Sequence, residues 1–336
     1  MKVKVKRNFV GEKDLSRKQA AFRLAMEVVR SGNEGTIKKT AYAIMKLANY
    51  AKEVLEIKNL TRLSNEHMKD FAEHLRGEVG DGEIVLGHAS NIISSLNRVF
   101  DHYGRDDLKL SAKAQGLNRG SRYYNIDRSV SEQTHNQLTD YLTKQYFSTG
   151  DIKFEVLRIQ VEMERTFGLR FKESALHDLK GIHKKDNMLD VVKGTKGGNP
   201  RKVPILNDKG YDLLNYARDF KNEFDFNRSL IPDDMKFQQW QNFAYGVVKS
   251  FNEQNGTNYH FHGERHYYAQ TRYQELTGFD APVKSGFING SYLNVMADYY
   301  GISLEEAKEI DIEARLTISE ELGHHRIDVT NYYLGK

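Results

Sequence analysis

Four short segments hold residues that could act together as a chemical set. They are Gly168-Leu169-Arg170 with Glu173, Gly194-Thr195-Lys196-Gly197-Gly198, His262-Gly263-Glu264-Arg265-His266, and Leu322-Gly323-His324-His325 followed by Asn331-Tyr332-Tyr333. Two guanidinium groups, a lysine, several imidazoles and a phenol are the tools of oxygen attack at phosphorus. Each guanidinium offers a planar fork of donors that matches phosphate oxygens and stays charged. A tyrosine hydroxyl has a pKa of about 10, so ionising it at neutral pH costs about 4 kcal/mol and calls for nearby positive charge or a base.

Singly, each segment has an ordinary explanation. An arginine at a helix start is usually a surface ion-pair partner. A Lys-Gly-Gly hairpin is usually a turn, and Gly194–Lys196 lacks the spacing of a phosphate-binding loop. Paired tyrosines normally pack. His260, His262, His266, His324 and His325 could be imagined around zinc, since His262 and His266 lie four apart. However, the metalloprotease pattern needs Glu directly after the first histidine, and Gly263 stands there instead. Arg265 inside the set also opposes binding of a dication, so no metal and no cofactor are expected.

Order and combination carry more than any single motif. Arg170, Lys196, His262-x-x-Arg265, Leu322-Gly323-His324 and a tyrosine nine residues later resemble the ordered pattern of the tyrosine recombinase, or phage integrase, family. The runs Arg265-His266-Tyr267-Tyr268-Ala269-Gln270 and Asp328-Val329-Thr330-Asn331-Tyr332-Tyr333-Leu334-Gly335 also resemble integrases of mobile elements. The resemblance covers about 130–336 by motif, and 1–115 only as the expected helical, basic domain in front. It implies that Arg170 and Arg265 bind the non-bridging oxygens of a DNA phosphate. His262 and His324 would donate to those oxygens or assist deprotonation, and Lys196 would protonate the leaving 5′ oxygen. Glu173 matches the supporting carboxylate. Counting nine residues from His324 selects Tyr333 over Tyr332 as nucleophile, and the 3′-phosphotyrosine link would conserve the bond energy without ATP or metal.

Two departures from the family pattern stand out. Glu264 occupies a usually apolar position, where its carboxylate either faces away or contacts His262 or Arg265 and lowers activity. Only Leu334, Gly335 and Lys336 follow Tyr333, whereas several relatives dock a longer C-terminal helix on a neighbour; subunit communication is therefore expected from elsewhere, such as 278–319.

The elements that must position these residues are mainly helical. Apolar residues recur at helical spacing over 15–29 and through Ala41, Ile44 and Leu47, then Met68, Phe71 and Leu75, then Ile92, Leu96 and Phe100. Residues 1–115 therefore read as a four-helix unit, which the resemblance makes a core-binding (SAM-like) domain. The segment 116–128 has no clear period and reads as a linker. A tyrosine recombinase catalytic domain is expected over 129–336. Its predicted helices cover 131–146, 152–167, 208–224, 235–252, 262–276, 292–300 and 304–309, with a last one near the C-terminus. A small three-stranded antiparallel sheet is predicted from 176–183, 188–192 and 201–205.

Composition agrees with a DNA partner. The net charge is only +4, but residues 1–60 carry 14 Lys/Arg against 6 Asp/Glu, and 305–321 is acidic. A basic front segment suits a polyanion, because each contact with a phosphate releases counterions; a solvated helical surface is the competing explanation. The strip Lys2, Lys4, Lys6 and Arg7 could line a groove, meet a neighbouring subunit or stay solvated. Absence of cysteine excludes disulfides and points to a reducing, cytoplasmic setting beside the nucleoid. Met1–Val10 lacks the apolar stretch of a secretory signal, and no membrane partner is expected.

The expected function is therefore a site-specific recombinase that integrates or excises a mobile element. Expected partners are double-stranded DNA carrying recombination sites, a homo-tetramer on two such sites, and DNA-bending helper proteins; without DNA the chain is expected as a monomer or weak oligomer. The two domains would clamp the duplex. A type IB topoisomerase or telomere resolvase shares most of the set, and an architectural factor with weak catalysis is the alternative from another class.

Overall fold

Residues 152–167 repeat apolar side chains at three- and four-residue spacing and are bracketed by Asp151, whose carboxylate accepts from the Lys153 amide, and by Gly168 in the left-handed region. Those caps fix a 16-residue helix, Ile152–Phe167, at the centre of the larger of two compact units. The computed structural model describes residues 18–29, 34–118, 126–287 and 290–336. The units are Met1–Ser121 and Arg122–Lys336. The strip Lys2–Arg7, the start of the expected first helix and most of the expected linker lie outside the described residues.

The first unit packs α1 (Lys18–Val28), α2 (Glu34–Glu53), α3 (Asn65–Gly80) and α4 (Leu86–Tyr103). Leu47, Phe71, Leu75, Ile93 and Phe100 form its core, as their periodicity predicts. Ser64 opens α3 with a reciprocal cap to His67, and Gly104 closes α4 with positive φ.

The second unit begins with α5 (Glu132–Thr149), α6 (Ile152–Phe167) and α7 (Phe171–Leu176). A sheet follows, with β1 (Ile182–His183), β2 (Met188–Val191) and β3 (Arg201–Pro204). The strands pair antiparallel in the order β1-β2-β3, with Leu189 opposite Val203 and Val191 opposite Arg201. Then come α8 (Asp208–Glu223), α9 (Phe237–Asn255), α10 (Phe261–Thr277), the single turn α11 (Pro282–Ser285), α12 (Ser291–Tyr300), α13 (Leu304–Glu321) and α14 (Ile327–Leu334). Helix α10 packs against α6, α13 and α14, and is therefore buried on several sides rather than along one stripe. Trp240 on α9 is fully buried, its indole donating to Gln160 on α6 at 3.0 Å.

The mainly helical class with a small antiparallel sheet matches expectation, but two boundaries differ. The first strand is two residues long instead of starting at 176. Leu176 ends α7, and Leu179 takes a positive φ of 62°, which breaks the extended run. Helix α13 runs to Glu321 instead of stopping near 309, because its buried positions include Asp311 and Arg315, which pair with each other.

Candidate active site

Four elements of the second unit converge on the phenol of Tyr333. Gly168 ends α6 with φ +60, and an added Cβ would lie 2.5 Å from the ring of Tyr268. Glycine therefore lets the chain turn against α10 and deliver Arg170 to the start of α7. Glu173, one turn on, accepts from the Arg170 amide at 2.8 Å and from its guanidinium at 2.6 Å. Gly323, at φ +67, ends α13 and presents His324, whose amide donates back to the Ser319 carbonyl at 2.8 Å. The first residues of α10 supply His262, Arg265 and His266, and α14 supplies Tyr333.

At the centre, Arg265 Nε donates to the Tyr333 hydroxyl at 3.3 Å, and His324 Nε2 lies 3.2 Å from the same oxygen. Arg170 Nη2 and Arg265 Nη2 approach that imidazole nitrogen to 3.5 and 3.3 Å. Two guanidinium donors facing Nε2 make it the acceptor nitrogen and leave the proton on Nδ1. Arg265 is completely buried, and it also donates to the carbonyls of Gly168 and Leu322. His262 stands at the open rim, its ring 5.7 Å from that of Tyr333. Tyr333 is 4% exposed, whereas Tyr332 is 43% exposed and belongs to the outer face of α14.

Lys196 occupies the tip of the β2–β3 hairpin, exposed to solvent. Its base is fixed at Gly194, where a Cβ would sit 2.4 Å from the Lys172 carbonyl oxygen, so the hairpin lies directly on the start of α7. Lys196 lies close enough for its charge to be felt at His324. The structure thus brings Arg170, Glu173, His262, Arg265, His324 and Tyr333 into one cluster, with Lys196 at its edge.

The charges of this cluster are unbalanced. Among the described residues, Glu173 is the carboxylate that Arg170 and Arg265 face, the latter at 3.9 Å. Burial pushes the Arg265 pKa down to about 10, which still leaves it charged at neutral pH. The carboxylate of Glu173 is held down at about 2, because its arginine partners outweigh the cost of burial. Burial and the neighbouring cations depress His262 to about 4 and His266 and His324 to about 3. All three rings are therefore neutral at pH 7, and the site holds excess positive charge suited to an anion.

A stability prediction follows from linkage. The unfolded chain protonates these histidines below about 6.5, whereas the folded chain resists until about 3 to 4. The stability from neutral rings is present above that upper value and is lost as pH falls through the window. Thermal melts between about pH 7 and 4 should show a steep fall in Tm, and His266→Asn should flatten it. Equal slopes in the two proteins would contradict the assignment.

Sequence reasoning missed three contributors. Arg201 is buried and grips Glu173 with both terminal nitrogens at 2.8 Å. His266 packs against Tyr333 with ring centres 4.6 Å apart and the rings tilted by 42°. Arg315 anchors α14, donating to Asn331 at 2.7 Å and to the Gly335 carbonyl at 2.9 Å. For Arg315 the Asp311–Arg315 spacing of four was a visible signal, yet one that normally marks a surface pair.

Glu264 faces away from the cluster. Its carboxylate is fully buried, accepting from His135 Nδ1 at 2.9 Å and from Arg165 Nη1 at 2.6 Å. Burial alone would depress the His135 pKa, but hydrogen bonds to Glu162 and Glu264 override it and raise the pKa. Glu264 thus ties α10 to α5 and α6 as a structural ion pair. Glu264→Ala should destabilise the fold by about 3–5 kcal/mol, since it strands buried cationic partners, whereas Glu264→Gln should cost less; denaturant melts distinguish the two.

Residues 125–271 match the sequence model of the family described as "Integrase". No curated protein matches the chain. Among solved structures, the XerH site-specific recombinase bound to palindromic difH substrate, a post-cleavage complex, aligns at 14% identity. That alignment covers 94% of this chain and 80% of the other, with a TM-score of 0.60. The Tn1549 transposon integrase in complex with circular intermediate DNA aligns at 13% identity over 94% of this chain and 95% of that one, with a TM-score of 0.55. At such identities the likeness is one of fold. The unit that holds the Tyr333 cluster thus contains a region similar to the Integrase family and shares the fold of these solved recombinases.

Proposed function

We propose that the chain is a site-specific DNA recombinase that cleaves and rejoins strands through a 3′-phosphotyrosine intermediate, acting in the integration or excision of a mobile element. The observation that carries this reading is the Tyr333 hydroxyl held between Arg265 and an unprotonated His324 nitrogen, in a cluster with excess positive charge. Such a site offers an oxygen nucleophile, a base for its proton and two forks for the phosphate.

In the forward step the Tyr333 oxygen bonds to phosphorus and its proton passes to His324 Nε2, whose depressed pKa rises as the phosphate offsets the surrounding cations. The bond from phosphorus to the 5′ oxygen breaks, and Lys196 supplies the proton that makes a free 5′ hydroxyl. Arg170 and Arg265 hold the non-bridging oxygens as charge builds on them. His262, at the rim, completes the contacts to the phosphate. Attack by a 5′ hydroxyl on the phosphotyrosine reverses every transfer, so exchange of partners rejoins strands without an external energy source. Four subunits on two duplexes would permit that exchange, and the basic first unit would add phosphate contacts.

Affinity for DNA should then fall steeply with salt, by about 10³ or more between about 50 and about 200 mM. For the chemistry, nicked duplexes tiled from the DNA flanking the gene serve as traps. The expected product is an adduct that survives denaturation, with protein on the 3′ phosphate and a free 5′ hydroxyl opposite. Protein on a 5′ phosphate, or no adduct on any duplex, would overturn the reading.

A further inference from the structure

Resting on the strand-cleavage reading, we infer that Arg201 is a positioning residue, which shares the charge of Glu173 so that Arg170 and Arg265 stay available to the substrate, and which locks the hairpin strand to the turn bearing His324. The side chain of Arg201 is almost wholly buried, and all three of its donor groups are used. Its two terminal nitrogens bind the two oxygens of Glu173 at 2.8 Å each, and Nε donates to the Glu321 carbonyl at 2.7 Å. Its aliphatic stem lies across the backbone of the following turn, because a Cβ on Gly323 would come within 2.8 Å of the Arg201 Cδ. One side chain on β3 therefore touches the start of α7, the end of α13 and the turn before His324.

The division of labour follows from lone pairs and charge. Glu173 accepts from Arg170 twice, through the backbone amide and one terminal nitrogen. Its remaining capacity is filled by the fork of Arg201, so the carboxylate is neutralised by a residue other than Arg265 and His324, which contact the Tyr333 hydroxyl. Without that fork, the other cations near the buried carboxylate among the described residues are Arg170, already bonded to it at 2.6 Å, and Arg265, whose nearest nitrogen is 3.9 Å away. Arg265 would be drawn toward Glu173 and away from an incoming phosphate, and Arg170 would be left to carry the carboxylate's charge. The terminus of α13, which sets His324, would lose its tie to the sheet at the same time. Lysine cannot replace this residue fully, since a single ammonium cannot grip both carboxylate oxygens and the Glu321 carbonyl together.

The test uses the full chain and the nicked duplexes on which it forms its adduct. Arg201→Lys should bind those duplexes within about threefold of the parent but form adduct about 10²-fold more slowly, as expected when reacting groups shift by about 1 Å. A duplex with sulfur at the 5′ bridging position reports which group is displaced, because a leaving thiolate needs no proton. The sulfur duplex should restore Lys196→Ala and leave Arg201→Lys slow. If Arg201→Lys proves poorly folded, the paired variant Arg201→Gln with Glu173→Gln removes both buried charges; it should fold and still cleave slowly. Cleavage at the parental rate in either variant would overturn the inference, as would a loss matched by equal loss of DNA binding, or rescue of Arg201→Lys by sulfur. Absence of any adduct with the unaltered chain would instead sink the strand-cleavage reading itself, and this inference with it.

Discussion

Arg265→Lys should slow adduct formation by about 10²–10³-fold, the cost typical of removing a donor aimed at developing charge. The substitution keeps one positive charge but loses the fork. Nε of Arg265 donates to the Tyr333 hydroxyl, one terminal nitrogen meets the Gly168 carbonyl, and the other meets the Leu322 carbonyl beside His324. A lysine can satisfy one of these positions at a time. The carbonyls left unpaired in the interior would each cost about 1–3 kcal/mol, so a lower Tm should accompany the slow chemistry. The two effects are separable. If the loss were only one of stability, cooling would restore the rate per folded molecule; the account requires the deficit to persist at temperatures where the variant is fully folded. A variant that cleaves at the parental rate would remove Arg265 from the chemistry.

Much of this arrangement was legible in the sequence, and the rest was hidden for identifiable reasons. Helix α6 follows its apolar period from end to end, because its caps, Asp151 and Gly168, coincide with where the period starts and stops. The period of α13 could be followed only to about 309, since the next inward positions are Asp311 and Arg315. Those charges are tolerated inside because they neutralise each other and bind Tyr273, Tyr292 and Asn331, contacts that bring together segments far apart in sequence. The same limit hid Arg201. Its neighbours Lys202 and Pro200 suggest an exposed hairpin, and only the carboxylate of Glu173, 28 residues away, explains why it is buried. Glu264 looked anomalous because the sequence shows its neighbours His262 and Arg265, whereas the helix turns it toward His135 and Arg165 on other elements. Motif spacing conveyed well which groups converge on Tyr333, since it is a property of a few fixed turns. Supporting residues were less visible, since each depends on a partner from another element.

Tyr332 and Tyr333 illustrate the same contrast at the centre of the account. Adjacent residues on a helix point about 100° apart, so at most one of them can face a given cluster. Burial and the contacts to Arg265 and His324 choose Tyr333, while Tyr332 lies on the exposed side. The hydroxyl of Tyr333 is the atom through which every proposed step passes, so its loss should have the largest effect of any single change. Tyr333→Phe removes one oxygen and keeps the ring that packs against His266, so folding and DNA binding should be nearly unaltered. The direct measurement is adduct formation on nicked duplexes by the parent, Tyr333→Phe and Tyr332→Phe, with peptide mass spectrometry of the trapped product. The account predicts no adduct with Tyr333→Phe, a near-parental yield with Tyr332→Phe, and the nucleotide mass on Tyr333. An adduct that persists in Tyr333→Phe and disappears in Tyr332→Phe would contradict it.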